Sequence, residues 1–270
     1  MSQSDDPELI SALIRIAAEA GDKILDVYGH DFDVAHKQDQ SPLTEADLRS
    51  HRYICSALAE LAPDTPVMSE ESTGIDWEQR RRWPSYFLVD PLDGTREFVK
   101  RNGEFTVNIA LIENHRPTAG IVHVPVSGEC YAGSATLGSF KIVKGRRRPI
   151  RVRVPAATPL VVVGSRSHAN PDLAQMLETL GPHQLVGMGS SLKFCLVAEG
   201  KADFYPRFGP TSEWDTAAAQ AVVEAAGGQV IKLDGSPLDY NRKENILNPE
   251  FLVFGDASRD WAGLMGGASR

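Results

Sequence analysis

Apolar residues recur at intervals of three and four positions near the start of the chain. They form one stripe from Leu9 to Val27, and Asp6-Pro7-Glu8 precedes it as a cap, a first-turn proline and an acid. This pattern predicts a helix that packs against the core. A second helix is predicted to run to about Leu61, because Thr44 followed by an acid three residues later resembles a capping box.

Short apolar runs replace the helical spacing after residue 66. Residues 86–89 form a β-prone run that ends at Asp90-Pro91, because proline cannot donate to a strand ladder. Three further runs follow, with turn signals between them, at residues 105–112, 119–124 and 129–135. These runs predict an antiparallel meander.

A proline-rich stretch, Pro155-Ala-Ala-Thr-Pro159, reads as a linker. Beyond it, strand-like runs alternate with helical segments, which predicts an open sheet with helices on its faces. We therefore expect an α/β protein with two halves, residues 1–155 and 156–270.

Composition narrows the class of protein. The chain has 270 residues, 42% of them hydrophobic, and a net charge of −8 that divides evenly on either side of Pro155, so neither half is a basic nucleic-acid domain. Its three cysteines are far apart, which argues against a disulfide framework or a zinc site. The chain opens without a leader pattern and contains no apolar run of 18 residues. We expect a cytoplasmic protein without an integral membrane segment; peripheral membrane contact and the oligomeric state stay open.

Acidic residues concentrate where predicted strands and helices begin or end. Glu70 and Asp90 follow apolar runs, Asp93 lies three residues further on, and Asp47 and Asp215 lie at helix starts. Each has a structural explanation alone, since Asp-Pro and Asp-Gly form turns and an acid suits a helix N-terminus. If the acids converge, their mutual repulsion calls for cations, and two or three Mg²⁺ ions would suit an oxygen-rich site.

Several of these acids lie in motifs. The segments Glu70, Asp90-Pro91-Leu92-Asp93-Gly94-Thr95, Trp214-Asp215 and Ala226-Gly227-Gly228 resemble the signatures of the inositol monophosphatase-like family. The resemblance implies an αβαβα layered sandwich and a Mg²⁺-dependent, lithium-sensitive phosphomonoesterase. It also implies that Asp47, Glu70 and Thr95 are catalytic, with Asp47 and Thr95 orienting and deprotonating the attacking water. The implied metal ligands are Glu70, Asp90, the Leu92 carbonyl, Asp93 and Asp215.

Two further segments resemble the branch of that family that acts on nucleotide bisphosphates. These are residues 189–195, with Lys193, and residues 205–211, with Arg207. A second phosphate needs its own cations, and an Arg fork with a Lys charge suits one. Backbone N–H groups at the start of the helix near Ser190 would add to this anion site. We expect hydrolysis of 3'-phosphoadenosine 5'-phosphate to AMP and phosphate. The expected substrate-binding residues are Glu70, Asp93, Gly94, Thr95, Ser167, His168, Ser190, Ser191, Lys193, Arg207 and Asp215.

Two alternatives remain at this point. The first is another phosphatase of the same family, acting on inositol 1-phosphate or a different sugar phosphate. The second is a non-catalytic nucleotide- or RNA-binding regulator that uses the basic patch Lys141–Arg153, although this patch lacks the interleaved aromatic residues that would stack on bases. We expect no nucleic-acid partner; the role of the Arg146–Arg148 loop is open.

Overall fold

The computed structural model of the protein describes residues 3–36, 42–166 and 171–263. After a short 3₁₀ turn at Gln3–Asp5, the described helices are α1 Pro7–Tyr28, α2 Glu45–Leu61, α3 Trp77–Arg80, α4 Thr95–Val99, α5 Pro171–Leu180, α6 Leu192–Ala198 and α7 Glu213–Ala225. The strands of the first half are β1 Val34–His36, β2 Pro42–Thr44, β3 Val67–Ser69, β4 Ser85–Asp93, β5 Thr106–Glu113, β6 Arg116–Val124, β7 Glu129–Ser134, β8 Gly138–Val143 and β9 Arg146–Pro149. Those of the second half are β10 Leu160–Ser165, β11 His183–Met188, β12 Phe204–Arg207, β13 Gln229–Lys232 and β14 Phe251–Phe254.

The larger sheet has seven strands in chain order, from β3 to β9. Strands β4 to β9 pair antiparallel with their neighbours, and β3 pairs parallel with β4. The predicted meander is thus confirmed as β5, β6 and β7.

The smaller sheet has five strands in the order β11-β10-β12-β14-β13. Its β10, β11 and β12 run parallel, with α5 and α6 as crossovers, whereas β14 pairs antiparallel with both β12 and β13. The predicted alternation of strands and helices in the second half is confirmed.

Alternation along the strands explains how the layers stack. In β4, Phe87 and Val89 pack against α1 and α2, while Tyr86 and Leu88 face α6 and α7 on the opposite side. The same cluster reaches one face of the smaller sheet, whose other face packs against α5. The order of layers is therefore helices, large sheet, helices, small sheet, helix, which is the expected αβαβα arrangement.

The Arg146–Arg148 segment is a strand and not a loop. It forms β9, which pairs with β8 at the edge of the large sheet and is exposed throughout. Charged residues and a proline are what protects an edge strand from pairing with other chains, so this run of arginines has a structural role in its own right. The nearby Lys141 is buried and pairs with Glu129 and Glu199.

None of the helices in the described part of the chain is long and apolar enough to cross a membrane. The division of the chain at residue 155 stays a prediction. The two sheets fall on either side of it, but they share the cluster built on α6 and α7.

Candidate active site

The site begins where β4 leaves the regular ladder. Asp90 pairs with Asn108 and Asp93 with Thr106, so two residues of β4 bulge between them. The Leu92 N–H donates to Asp90 Oδ1 at 3.0 Å inside this bulge. The predicted strand end is therefore an irregular segment that presents carboxylates from a rigid sheet.

Four acids converge at this bulge. Burial raises the pKa of Asp90 well above its usual range, with further contributions from Glu70, Asp93 and Asp215. Burial also raises the pKa of Asp215 to about 8, followed by repulsion from Asp93 and Glu70. Asp90 and Glu70 share a hydrogen bond, which two ionised carboxylates cannot make without a proton.

Such a cluster fits a divalent cation in its chemistry. Buried carboxylates that repel one another are stabilised by a bound positive charge, and hard cations prefer oxygen ligands. As they stand, no three His, Cys, Asp or Glu side chains within the described ranges are placed so that they could hold an ion. The donor set and its burial thus match Mg²⁺, while the side chains are not already arranged around one.

Asp47 and Asp215 occupy equivalent positions on their helices. Each is the third residue of a helix and completes a capping box, Asp47 with Thr44 in α2 and Asp215 with Ser212 in α7. In Asp47, Oδ2 accepts the capping bonds, and Oδ1 accepts a bond of 3.3 Å from Thr95 Oγ1. One carboxylate therefore both caps a helix and faces the site.

Asp93 is fixed by the second half of the chain. Its Oδ2 accepts bonds from the N–H and hydroxyl of Ser191, at 2.6 and 2.7 Å. Asn108 Nδ2 donates to the same oxygen at 3.3 Å and to Ser191 Oγ at 2.8 Å. The Ser191 hydroxyl therefore holds a carboxylate, although we expected it to bind substrate.

A cavity of about 260 Å³ opens beside the acids. Its lining includes Asp93, Thr95 and Asp215, and also the two predicted cations, Lys193 and Arg207. Glu70 instead lines a second cavity of about 340 Å³ together with Trp214.

Lys193 and Arg207 both donate hydrogen bonds to neutral carbonyl groups. Lys193 Nζ donates to the Ser190 carbonyl at 2.6 Å, and Arg207 donates to the Gly209 and Pro210 carbonyls at 3.1 and 2.9 Å. Burial lowers the pKa of Lys193 to about 8, and the nearby Asp93 opposes that change. Both side chains retain further N–H groups that could bind an anion in the cavity.

The expected backbone anion site at the start of α6 is already filled by protein carboxylates. The Ser191 N–H donates to Asp93, and the Gly189 N–H donates to Glu104 Oε2 at 2.8 Å. That part of the expectation is wrong for this structure, since sequence spacing does not show which acid folds onto a loop. Ser190 does line the cavity, with a backbone in the left-handed region at φ 47°.

Gly94 lets the two halves approach closely. Its φ of 93° suits glycine, and a Cβ there would lie 3.3 Å from both the Glu104 carbonyl and the Ser190 side chain. Gly94 also lines the cavity, as expected of a substrate-binding residue. Ser167 and His168, predicted to contact the nucleotide, lie outside the described residues; Ser165, two residues before Ser167, lines the cavity.

Comparison with known proteins now decides the family. A model described as the inositol monophosphatase family matches residues 5–258. The chain belongs to the inositol monophosphatase family.

Similar proteins include several named as nucleotidases. The 3'(2'),5'-bisphosphate nucleotidase CysQ of Escherichia coli (strain K12) is 51% identical over 247 residues, covering 91% of this chain and 99% of the relative. The CysQ of Haemophilus influenzae is 35% identical over 268 residues, covering 95% and 96%. The crystal structure of CysQ from Bacteroides thetaiotaomicron, described as a bacterial member of the inositol monophosphatase family, superposes with a TM-score of 0.80 at 41% identity and covers 92% of this chain and 97% of that one.

Two residues that contribute to the site lie outside the motifs. Asn108 supports Asp93, and Glu97 is buried in α4 and lines the cavity. Asn108 could have been recognised from the sequence, because it is a polar residue inside the apolar run of β5. Glu97 could not, since an acid in the first turn of a helix is ordinary.

Proposed function

We propose that this protein hydrolyses 3'-phosphoadenosine 5'-phosphate to AMP and phosphate in a Mg²⁺-dependent reaction. The observation that carries the proposal is a cavity whose lining combines the acids Asp93 and Asp215 with the cations Lys193 and Arg207. Such a lining can bind one phosphate through a metal ion held by the acids and a second phosphate through the basic side chains. The names of the relatives at 51% and 35% identity support the same activity.

Asp47 and Thr95 orient and deprotonate the attacking water. Because the Thr95 hydroxyl donates to Asp47, its lone pairs are left to accept a hydrogen bond from water. The proton of the water then passes through this pair to Asp47, which stays oriented by its capping bonds.

The acids would hold the cation. The proposed oxygen ligands are Glu70 after β3, Asp90, the Leu92 carbonyl and Asp93 in β4, and Asp215 in the first turn of α7. When bound, Mg²⁺ supplies positive charge that offsets the negative charge developing on the phosphoryl and leaving oxygens. The number of ions, two or three, and the lithium sensitivity implied by the family resemblance remain predictions. The same holds for a cytoplasmic location.

Lys193 and Arg207 bind the phosphate that does not react. A charged hydrogen bond to phosphate is stronger than one between neutral groups, and Arg207 can offer two parallel N–H groups. A substrate with one phosphate would leave these cations bonded only to neutral carbonyl groups, without an anion from the substrate. This asymmetry favours a bisphosphate over an inositol monophosphate.

The proposed activity assigns the two phosphates of the substrate to different residues. It places the 5'-phosphate on Lys193 and Arg207 and the 3'-phosphate at the acids, so the expected product is adenosine 5'-phosphate. Chromatography of the reaction products tests this. Release of adenosine 3'-phosphate would contradict the assignment of the two phosphates, and no release from the nucleotide would contradict the proposed activity.

A further inference from the structure

The backbone groups of Pro91 and Leu92 in the β4 bulge have contacts outside the sheet ladder. The Leu92 N–H is satisfied by Asp90, and Pro91 has no N–H to satisfy. The Pro91 carbonyl accepts a bond of 2.7 Å from Ser50 Oγ. The Leu92 carbonyl has a contact of 3.5 Å from Thr95 Oγ1, at the outer limit for a hydrogen bond.

Ser50 reaches the bulge from α2, the helix that carries Asp47. The two residues are three apart, so both lie on the helix face that packs against β4. Ser50 is fully buried, and its hydroxyl has no route to water. The next residue, His51, contacts Ser69 Oγ through Nδ1 at 2.9 Å, immediately before Glu70.

The bond to Pro91 constrains its neighbour. The bond to the Pro91 carbonyl fixes the plane of the peptide that joins Pro91 to Leu92. The Leu92 carbonyl follows directly in the chain, and its contact is with Thr95, which lines the cavity together with Asp93 and Asp215.

We propose that Ser50 is a positioning residue for the cation site, because its bond to the Pro91 carbonyl orients the Leu92 carbonyl as a ligand. This inference rests on the metal site of the proposed function. Ser50 contacts neither substrate nor cation; it acts through the backbone of the bulge. Residues that orient metal ligands commonly change metal affinity by ten- to a hundredfold when replaced.

The test is a calorimetric titration of the purified full chain with Mg²⁺ in the absence of substrate. Ser50→Ala removes the hydroxyl and leaves a good helix former, so we expect Mg²⁺ to bind about tenfold more weakly than to the wild type. In assays, the Mg²⁺ concentration for half-maximal rate should rise by the same factor. The KM for the nucleotide at saturating Mg²⁺ should stay within about twofold, a split that a general loss of packing would not produce.

Ser139→Ala is the matched control. Ser139 is also buried in the large sheet and donates to a backbone carbonyl, that of Ala132, at 3.4 Å, but it lies in β8, away from the bulge. It should lower the melting temperature without changing Mg²⁺ affinity. If Ser50→Ala does not fold, Ser50→Cys keeps the shape with a weaker donor, and its Mg²⁺ affinity decides the question.

The possible results distinguish the role of Ser50 from the existence of the cation site. Wild-type Mg²⁺ affinity in a folded Ser50 variant would overturn the role of Ser50 and leave the cation site intact. Absence of Mg²⁺ binding by the wild-type protein would overturn the cation site, and the role of Ser50 with it. Weaker binding by the Ser50 variant alone, with Ser139→Ala unchanged, is the result we expect.

Discussion

The two carboxylate oxygens of Asp93 have different roles, one in structure and one in chemistry. One of them, Oδ2, accepts hydrogen bonds from the Ser191 N–H, the Ser191 hydroxyl and Asn108. The carboxylate also lines the cavity. An acid bonded in this way is held firmly enough to present its second oxygen to a cation.

Asp93→Asn should separate these two roles. The amide oxygen can keep the bonds from Ser191, which turns the NH₂ group toward the acids and removes a ligand. We expect kcat/KM to fall by about 10²–10³, as for other losses of preorganised charge stabilisation, with a circular dichroism spectrum like that of the wild type. Near-normal activity in the folded variant would contradict the assignment of Asp93 as a ligand.

Lys193 and Arg207 can be tested by comparing two substrates that share the ribose 3'-phosphate ester but differ in the second phosphate. Lys193→Met or Arg207→Ala should raise KM for 3'-phosphoadenosine 5'-phosphate by about ten- to a hundredfold, the effect of one or two charged hydrogen bonds. KM for adenosine 3'-phosphate, which lacks the second phosphate, should stay nearly unchanged. Lys201→Met is the control, since Lys201 is exposed. Equal effects on the KM of both substrates would show that these cations do not bind the second phosphate.

At the scale of elements, two helices begin with the same capping arrangement. α2 and α7 each place an aspartate at the third position, where it closes a capping box. Both helix starts face the β4 bulge, so the residues that cap them also supply the site with carboxylates. The structural interpretation of Asp47 as a helix cap is therefore confirmed, and its catalytic role stays a proposal.

Substitutions at Asp47 distinguish capping from catalysis. Asp47→Asn keeps an acceptor for Thr44 and should leave the free energy of unfolding nearly unchanged, whereas Asp47→Ala should lower it by about 1 kcal/mol. Both should lose most of the activity, because neither can accept the proton. The catalytic role would be refuted if Asp47→Asn kept its activity and only the less stable Asp47→Ala lost it. Urea unfolding and phosphate release measure the two quantities.

The elements also show how far the sequence could be read. The spacing of apolar residues was sufficient for α1 and the meander, because each buries one regular face, and the capping pattern at Thr44 indicated α2. The β9 strand was missed, since its arginines are exposed at a sheet edge and leave no alternation to detect. The start of α6 was misread because its N–H groups bind acids that are distant in the chain.

At the scale of the whole molecule, the site exists because α6 and α7 lie between the two sheets. Asp215 and Lys193 come from these helices and meet Asp90 and Asp93 only when the layers stack. Motifs could therefore indicate the acids, but which carboxylates share a hydrogen bond, and which hold the loop at Ser191, depended on packing between distant segments.

The acid cluster makes the stability of the protein depend on both pH and Mg²⁺. The pKa of Asp215 is about 8 in the folded chain and near 4 when unfolded, and that of Asp90 is raised in the same direction. A carboxyl group with a raised folded pKa stabilises the fold fully at low pH and loses that contribution as pH rises through the folded value. The melting temperature in EDTA should therefore fall between about pH 5 and pH 8.

Mg²⁺ should offset that loss by neutralising the carboxylates. We expect the increase in melting temperature on adding Mg²⁺ to be larger at pH 8 than at pH 5, where protons already neutralise part of the cluster. Ca²⁺-free buffers and a K⁺ control at equal ionic strength exclude general salt effects. A Mg²⁺ effect that is absent at pH 8 would contradict a cation site built from these acids.

The most direct measurement compares phosphate release from 3'-phosphoadenosine 5'-phosphate and from inositol 1-phosphate, each with Mg²⁺ and with EDTA. The account predicts a kcat/KM for the nucleotide at least about a hundredfold above that for the inositol ester, the worth of two charged hydrogen bonds, and no turnover in EDTA. A preference for the inositol ester would contradict the role of Lys193 and Arg207. Equal rates in Mg²⁺ and EDTA would contradict the role of the acids.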